Sequence, residues 1–436
     1  MLAAAWGLSH LFADDLTAAP VALKKAAPSD RVNLGVIGLN MGCDDLKGAL
    51  TANKFAHCIA MCDVDKNRRA NQVAAFKKDF PEQTAQLQEY DDFRKLLENR
   101  DIDGVIIAVP DHWHCYIFNE ALKAGKAVYI EKPVANSIAE CNKLMEWQAK
   151  YKKVVITGLW QVQVPYFIKA FEILKSGVLG DIYKVHAFLC QGTASRAAVA
   201  DEPVPDYLNY EMWLGPAPTR PYNSYRVRSW RNFWDYGGGQ QTDWGVHWLD
   251  SAFDGLKALG MHDGKTYPTS ITSVAHKHPD SFSETPACQT SVFAYDQFHV
   301  VWEQQVARLY NCDQGVAWIG SNATLVCNRE SLQLIPERSR NNAPAIEAID
   351  MPRRYAVSIP EHTTNWLECI RNNNIQTDSP VEKGAFASIL AHSANIAFRT
   401  GSRVVYDPVT QKFVNNAAAD AFLKPAYRKP WDSVWV

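Results

Sequence analysis

Between a short apolar run, residues 33–38, and a segment of helical periodicity stands Gly38-Leu39-Asn40-Met41-Gly42. A tight strand-to-helix turn of this kind aims backbone N–H groups and the positive end of a helix at an anion, and glycine lets the backbone come close. The chemistry that suits it is binding the pyrophosphate of a dinucleotide. The pattern departs from G-x-G-x-x-G, because Asn40 holds the second glycine position and the third is displaced. Asn tolerates positive φ better than most residues, which softens the departure. Asp63 closes the next apolar run, 25 residues after Gly38. A carboxylate there accepts hydrogen bonds from an adenosine ribose and favours NAD; alternatively it caps the helix beginning near Asp65. Lys66, Arg68 and Arg69 nearby keep NADP open. Gly38, Asn40, Met41 and Asp63 are therefore candidate cofactor contacts.

Pro110 follows a further apolar run at its carboxyl end, where ligands of open α/β sheets bind. Glu131-Lys132-Pro133 ends the next run at the same edge, so Lys132 is expected to point into the crevice. A lysine amine partly withdrawn from water beside a cationic ring is suited to proton transfer. The alternative is a surface lysine paired to Glu131. Asp243 and His247 are four positions apart and share a face on a helix, one turn from each other. Gly237-Gly238-Gly239 just before them permits a close-approach turn. The plainer alternative for His247 is a buried imidazole bonded to a backbone carbonyl.

These groups need a scaffold, and the chain supplies a regular one from residue 31. Strands are expected at 33–38, 55–63, 104–109, 127–131 and 154–158, with helices at 43–52, 65–79, 91–99, 113–124 and 137–150. Near-continuous apolar strands alternating with helices indicate a doubly wound parallel sheet covered on both faces. This Rossmann-type domain spans residues 31–158. Residues 159–436 form a second domain with a mostly antiparallel open sheet, its strands at 182–190, 270–276, 287–295, 298–308, 315–319 and 323–328. A Pro/Trp/Arg-rich insertion covers about 192–235, and helices near 361–372 and 382–400 return to the first domain.

Length fits two domains, since 436 residues exceed what one core usually serves. A net charge of −2 leaves no electrostatic footprint for nucleic acid or an anionic membrane. The 14 tryptophans suit a carbohydrate ligand, although most belong in a core. The ten cysteines show no CxxC and no zinc spacing, so neither a metal site nor a disulfide framework is expected. Residues 1–21 are rich in Ala and Leu and read as the later part of a secretory signal, which points to export to the periplasm; the alternative is a disordered N-terminal arm on a cytoplasmic protein. That apolar stretch is too short to span a bilayer.

Ala108-Val109-Pro110-Asp111-His112-Trp113-His114, Ala124-Gly125-Lys126, Glu131-Lys132-Pro133, Gly158-Leu159-Trp160-Gln161 and the run from Tyr236 to His247 follow one another in a recognisable order and spacing. From residue 33 to about 430 the chain resembles the Gfo/Idh/MocA oxidoreductases, and its closing residues 426–431, AYRKPW, resemble the tail of exported bacterial members. The resemblance implies hydride transfer between a carbinol of a sugar-like substrate and a nicotinamide. It implies that Pro110, Asp111, His114, Glu131, Lys132 and Gln161 contact NAD, or NADP; export to a periplasm with little free NAD would further require a cofactor that folds in beforehand and stays tightly bound. Lys132 would be catalytic, His247 the acid/base, and Asp243 the group that orients substrate and fixes the histidine tautomer. Trp160, Gln161, Arg231 and Trp234 join Asp243 and His247 as candidate substrate contacts. One departure stands out: relatives often carry Arg after the Trp-Gln pair, whereas Val162 follows Gln161 here. A glycosidase that oxidises its substrate only transiently, at C3, would use the same residues. A binding protein with a vestigial dinucleotide fold would retain the fold without needing Lys132, Asp243 and His247. A homo-oligomer, dimer or tetramer, is implied by analogy.

Overall fold

The computed structural model describes residues 31–305, 307–338 and 346–435. The expected export segment, residues 1–30, lies outside them. Six strands form the first sheet: β1 (Val32–Ile37), β2 (Ala56–Cys62), β3 (Gln88–Tyr90), β4 (Gly104–Ile107), β5 (Ala127–Ile130) and β6 (Val155–Thr157). Their order is β3-β2-β1-β4-β5-β6 and every pair is parallel. Five helices connect them: α1 (Met41–Ala52), α2 (Lys66–Asp79), α3 (Phe93–Glu98), α4 (Asp111–Lys123) and α5 (Ile138–Tyr151). The chain reverses its strand order between β3 and β4, so the ligand crevice lies at the carboxyl ends of β1 and β4. β4 and β5 are buried at every residue, which explains their uninterrupted apolar sequences.

The second sheet has eight strands in the order β14-β13-β12-β11-β7-β10-β9-β8. They are β7 (Ile182–Leu189), β8 (Ser270–His276), β9 (Cys288–Ala294), β10 (His299–Gln304), β11 (Gln314–Gly320), β12 (Ala323–Cys327), β13 (Leu332–Pro336) and β14 (Ile349–Asp350). Only β7 and β10 pair in parallel; the rest are antiparallel. One face packs on α6 (Pro165–Lys175) and α10 (Gly245–Ala258), burying Trp248, Trp302, Trp318 and Phe293. The strand expected over 298–308 stops at Gln304, because Gln305 takes φ +60° and turns the chain.

Two late helices cover the first domain. α11 (Ile359–Arg371) lies on α1 and seats Trp366, 0% exposed, in the core beneath β1 and β5. Removing a side chain of that size from a closed core costs about 3–5 kcal/mol. α12 (Val381–Thr400) runs beside α5, with Thr157 N–H donating to Ser379 O at 2.8 Å just before it. The insertion after β7 builds α7 (Tyr210–Leu214) and α8 (Ser224–Arg228) around Tyr210, Trp213, Tyr222, Phe233 and Tyr236. Main-chain bonds tie it to the first domain, from Lys66 N to Tyr207 O (2.8 Å) and from Asn209 N to Val64 O (3.1 Å). All ten cysteines are free thiols. Among the described residues no helix is long and apolar enough to cross a membrane.

Candidate active site

The turn from β1 into α1 is held open by Gly38 at φ +94°, where a Cβ would stand 2.2 Å from the Ala108 carbonyl oxygen. Asn40 corrects one expectation: its φ is −108°, so no left-handed tolerance is used there. Asp63 is buried, and its two oxygens accept the Leu39 and Asp65 amides, both at 2.9 Å. It therefore fastens the turn to the end of β2. The cap of α2 is Asp65, which accepts the Arg68 amide at 2.9 Å. Burial raises the Asp63 carboxyl, opposed by Arg68, whose Nη1 is 3.8 Å away. Gly38, Asn40, Met41, Asp63 and Arg68 line one cavity of about 590 Å³, shared with Pro110, Asp111, Glu131, Lys132 and Arg231. That volume falls within the range of small-molecule and cofactor sites. The free amides at the start of α1 offer the anion contacts a pyrophosphate needs.

Lys132 anchors the reactive part of this wall. Its Nζ donates to Asp243 Oδ1 at 2.6 Å and to the Asp243 carbonyl at 3.0 Å. Glu131 is not its partner; Glu131 Oε2 instead accepts the Lys132 backbone amide at 3.2 Å. Arg231 Nε lies 3.1 Å from the same Asp243 oxygen, with its guanidinium stacked 4.2 Å over Trp230. Burial opposes ionisation of Asp243, but Arg231 and Lys132 together hold its carboxyl down at about 2. Asp111 opens α4 in the same wall; burial pushes its carboxyl well up, against the pull of Arg231.

Asp243 and His247 do not share one uninterrupted helix. α9 (Gln240–Asp243) ends at the carboxylate, Trp244 breaks the run, and α10 begins at Gly245. With Lys132 and Arg231 occupying Asp243, no hydrogen bond joins it to His247 among the described residues, which corrects the expected tautomer-fixing role. His247 is 5% exposed and its Nδ1 has no partner, so the carbonyl-bonded alternative does not occur for that nitrogen. Burial first, then the cations Lys132 and Arg329, push its imidazole well below the usual range and keep it neutral. The rings of Trp160 and Trp244 flank it at 6.2 Å each.

Of three further expected contacts, His114 lines the cavity while bracing its loops, and Gln161 and Trp234 do not line it. His114, 1% exposed, faces the Pro133 carbonyl at 2.7 Å from Nδ1 and the Val109 carbonyl at 2.9 Å from Nε2, joining the loops after β4 and β5. Gln161 donates to His247 O (3.3 Å) and Ser251 Oγ (3.1 Å) and accepts from Arg329 Nε (2.6 Å), leaving no amide group for a ligand. Trp234 carries Arg399 at 4.7 Å on its ring, and neither it nor Trp160, Asp243 or His247 lines the cavity. Arg329, in the turn between β12 and β13, was not foreseen. It stacks on Trp160 (4.5 Å) and Trp244 (5.0 Å) and brings a buried cation toward His247. No sequence motif marks it; only the cluster of tryptophans does. The roof was likewise unforeseen, for Tyr207, Met212, Trp213 and Arg228 of the insertion line the same cavity. Trp113 Nε1 holds that roof through the Met212 carbonyl at 3.0 Å.

Comparison with known proteins places both halves. Residues 32–159 match the family model described as "Oxidoreductase family, NAD-binding Rossmann fold", of the Gfo/Idh/MocA group. Residues 172–433 match its companion, "Oxidoreductase family, C-terminal alpha/beta domain". An inositol 2-dehydrogenase of Salmonella typhimurium is 28% identical over 154 residues, 35% of this chain and 44% of the relative. A 1-carboxy-3-chloro-3,4-dihydroxycyclohexa-1,5-diene dehydrogenase of Comamonas testosteroni is 26% identical over 36% of this chain and 37% of the relative. The chain thus spans less than half the length of these curated relatives in the matched stretch. Among solved structures, a levoglucosan dehydrogenase in complex with NADH and levoglucosan shares the fold at TM-score 0.64 and 15% identity, covering 86% of this chain and 99% of that one. The WlbA dehydrogenase of Bordetella pertussis, in complex with NADH and UDP-GlcNAcA, gives 0.60 at 14% identity, with 86% and 98% covered.

Proposed function

This chain belongs to the Gfo/Idh/MocA oxidoreductase family, and on that premise we propose that it is an NAD-dependent dehydrogenase acting on a carbinol of a sugar or related polyol. The observation that carries the reading is the Lys132–Asp243–Arg231 ion-pair cluster, at 2.6 and 3.1 Å, whose Lys132 and Arg231 line the cavity with the dinucleotide turn. When bound, the nicotinamide supplies a site that accepts or returns a hydride. The turn at Gly38–Met41, Asp63, Pro110 and Lys132 would hold the cofactor. Asp63 favours NAD, while Arg68 beside it is the group a 2′-phosphate would seek.

The chain's own residues manage the proton. His247, held neutral, is the group that would take a hydroxyl proton from a substrate carbinol as that carbon is oxidised. Lys132, locked on Asp243, presents a donor to the same oxygen, and Arg231 holds the carboxylate in place. The sugar-like substrate class draws on the named relatives, inositol and levoglucosan dehydrogenases. The roof built by Tyr207 to Arg228 supports tight retention of the cofactor, and a dialysed sample releasing stoichiometric NAD on acid treatment would bear this out. Homo-oligomerisation through the sheet face not covered by α6 and α10, and export on the Ala/Leu-rich segment, complete the reading; light scattering and cell fractionation test them. The decisive variant is Lys132→Ala. At saturating NAD it should lose about 10²–10⁴ in turnover, whereas full turnover would refute the assignment.

A further inference from the structure

Behind Lys132 the first sheet holds two carboxyl groups and a phenol that the reaction above leaves unused. Tyr129, on β5, is fully buried, and its hydroxyl lies 3.3 Å from Asp45 Oδ1 and 3.3 Å from Glu131 Oε1. Asp45 comes from α1 and Glu131 from the end of β5; they are 2% and 4% exposed. A phenol has one proton to give. To be hydrogen-bonded to both carboxyl groups it must donate to one and accept from the other, and the group it accepts from is then a neutral acid. Two ionised carboxylates around one buried oxygen would repel each other in a medium that screens them poorly.

The surroundings decide which carboxyl keeps the proton. Glu131 faces the cations of Lys132 and Arg231, and its Oε2 accepts the Lys132 amide at 3.2 Å. Its carboxyl is pinned from behind as well, since a Cβ on Gly158 would stand 2.2 Å from Oε1. Asp45 has no such support. Its nearest charges are the carboxylates of Glu131 and Asp44, with Lys132 the weakest influence, and its Oδ2 is buried with no hydrogen-bond partner. An ionised oxygen in that position would be costly to bury.

We infer that Asp45 is held as a neutral acid donating to Tyr129, that Tyr129 donates to Glu131, and that this chain fixes Glu131 as an anion in the cavity wall beside Lys132. Asp45 and Tyr129 are thus positioning residues acting through Glu131. On the dinucleotide reading of the cavity, on which this consequence rests, the fixed anion favours the cationic, oxidised ring over its neutral, reduced form.

Two measurements test the two halves separately. Infrared difference spectra of the ligand-free protein, parent minus variant, should show the C=O stretch of one protonated carboxylic acid for Asp45→Asn and none for Glu131→Gln, the bands of other buried acids such as Asp111 cancelling. No acid band in the Asp45→Asn difference, or one in the Glu131→Gln difference, overturns the proton assignment. Calorimetry then gives the ratio of dissociation constants for NAD and NADH. Glu131→Gln should weaken NAD relative to NADH by at least about tenfold, a lower bound on the loss of one full charge a few ångströms from another in a protein. Tyr129→Phe should move the ratio the same way, while Asp45→Asn, which keeps the donor and the shape of a neutral acid, should stay within about twofold of the parent. A ratio displaced as far by Asp45→Asn as by Glu131→Gln overturns the inference. A protein that binds neither form but shows the acid band would refute the dinucleotide reading while upholding the proton assignment.

Discussion

Asp243→Asn takes one negative charge from between Lys132 and Arg231 and leaves a buried and a half-buried cation with only an amide to share. Breaking a buried ion pair by removing one partner costs about 3–5 kcal/mol. The titratable part of that loss follows from the carboxyl itself, held at about 2 against an ordinary 3.8, which corresponds to about 2 kcal/mol. The folded-state value is the lower one. Its contribution is therefore complete above the unfolded value and is lost as pH falls toward 2, with about half gone by pH 3. Urea unfolding followed by tryptophan fluorescence, parent against variant from pH 7 to pH 3, measures the difference. The gap should be about 3–5 kcal/mol at pH 7 and roughly 1 kcal/mol smaller at pH 3. Equal stability at pH 7, or a gap that does not narrow in acid, would refute the reasoning.

Other expectations follow from the same geometry. His247→Asn should lose about 10²–10⁴ in turnover with NAD binding intact. Because burial and two cations keep the imidazole well below its usual range, the acid limb of kcat/KM should lie well on the acid side of an ordinary histidine's, which a pH-rate profile reads directly. Arg329→Met removes one of those cations and should move that limb upward while leaving NAD affinity near the parent's; an unmoved limb would show that Arg329 does not act on His247. Asp63→Ala, which also frees the Leu39 amide, should weaken NAD at least tenfold and narrow its preference over NADP, both read by calorimetry.

The doubly wound sheet was legible because β1, β2, β4 and β5 are buried on both faces and leave unbroken apolar runs. β3 was not, since Gln88-Glu89-Tyr90 is a three-residue edge strand with no buried residue to mark it. Lys132 and Asp243 could be named from their motifs and Arg231 only as a candidate substrate contact, but their mutual ion pairs could not be read. Motif order fixes which strand or helix end a residue occupies, whereas the pairing depends on how α9 lies against β5. Gln161 shows the reverse: it sits in a motif beside the crevice, yet it lies outside the cavity lining and turns inward to bond backbone and buried neighbours. The roof and Arg329 were invisible for a further reason. Main-chain bonds such as Lys66 N to Tyr207 O carry no side-chain signature, and a lone arginine in a β-turn has no pattern of its own.

The most direct test follows inositols, free sugars, anhydrosugars and aryl glycosides with the NAD-loaded protein, counting NADH formed per substrate consumed. Dehydrogenation predicts a ratio near one, abolished in Lys132→Ala. Substrate cleaved with no net NADH, yet only while NAD is bound, would contradict it and make the chain a hydrolase.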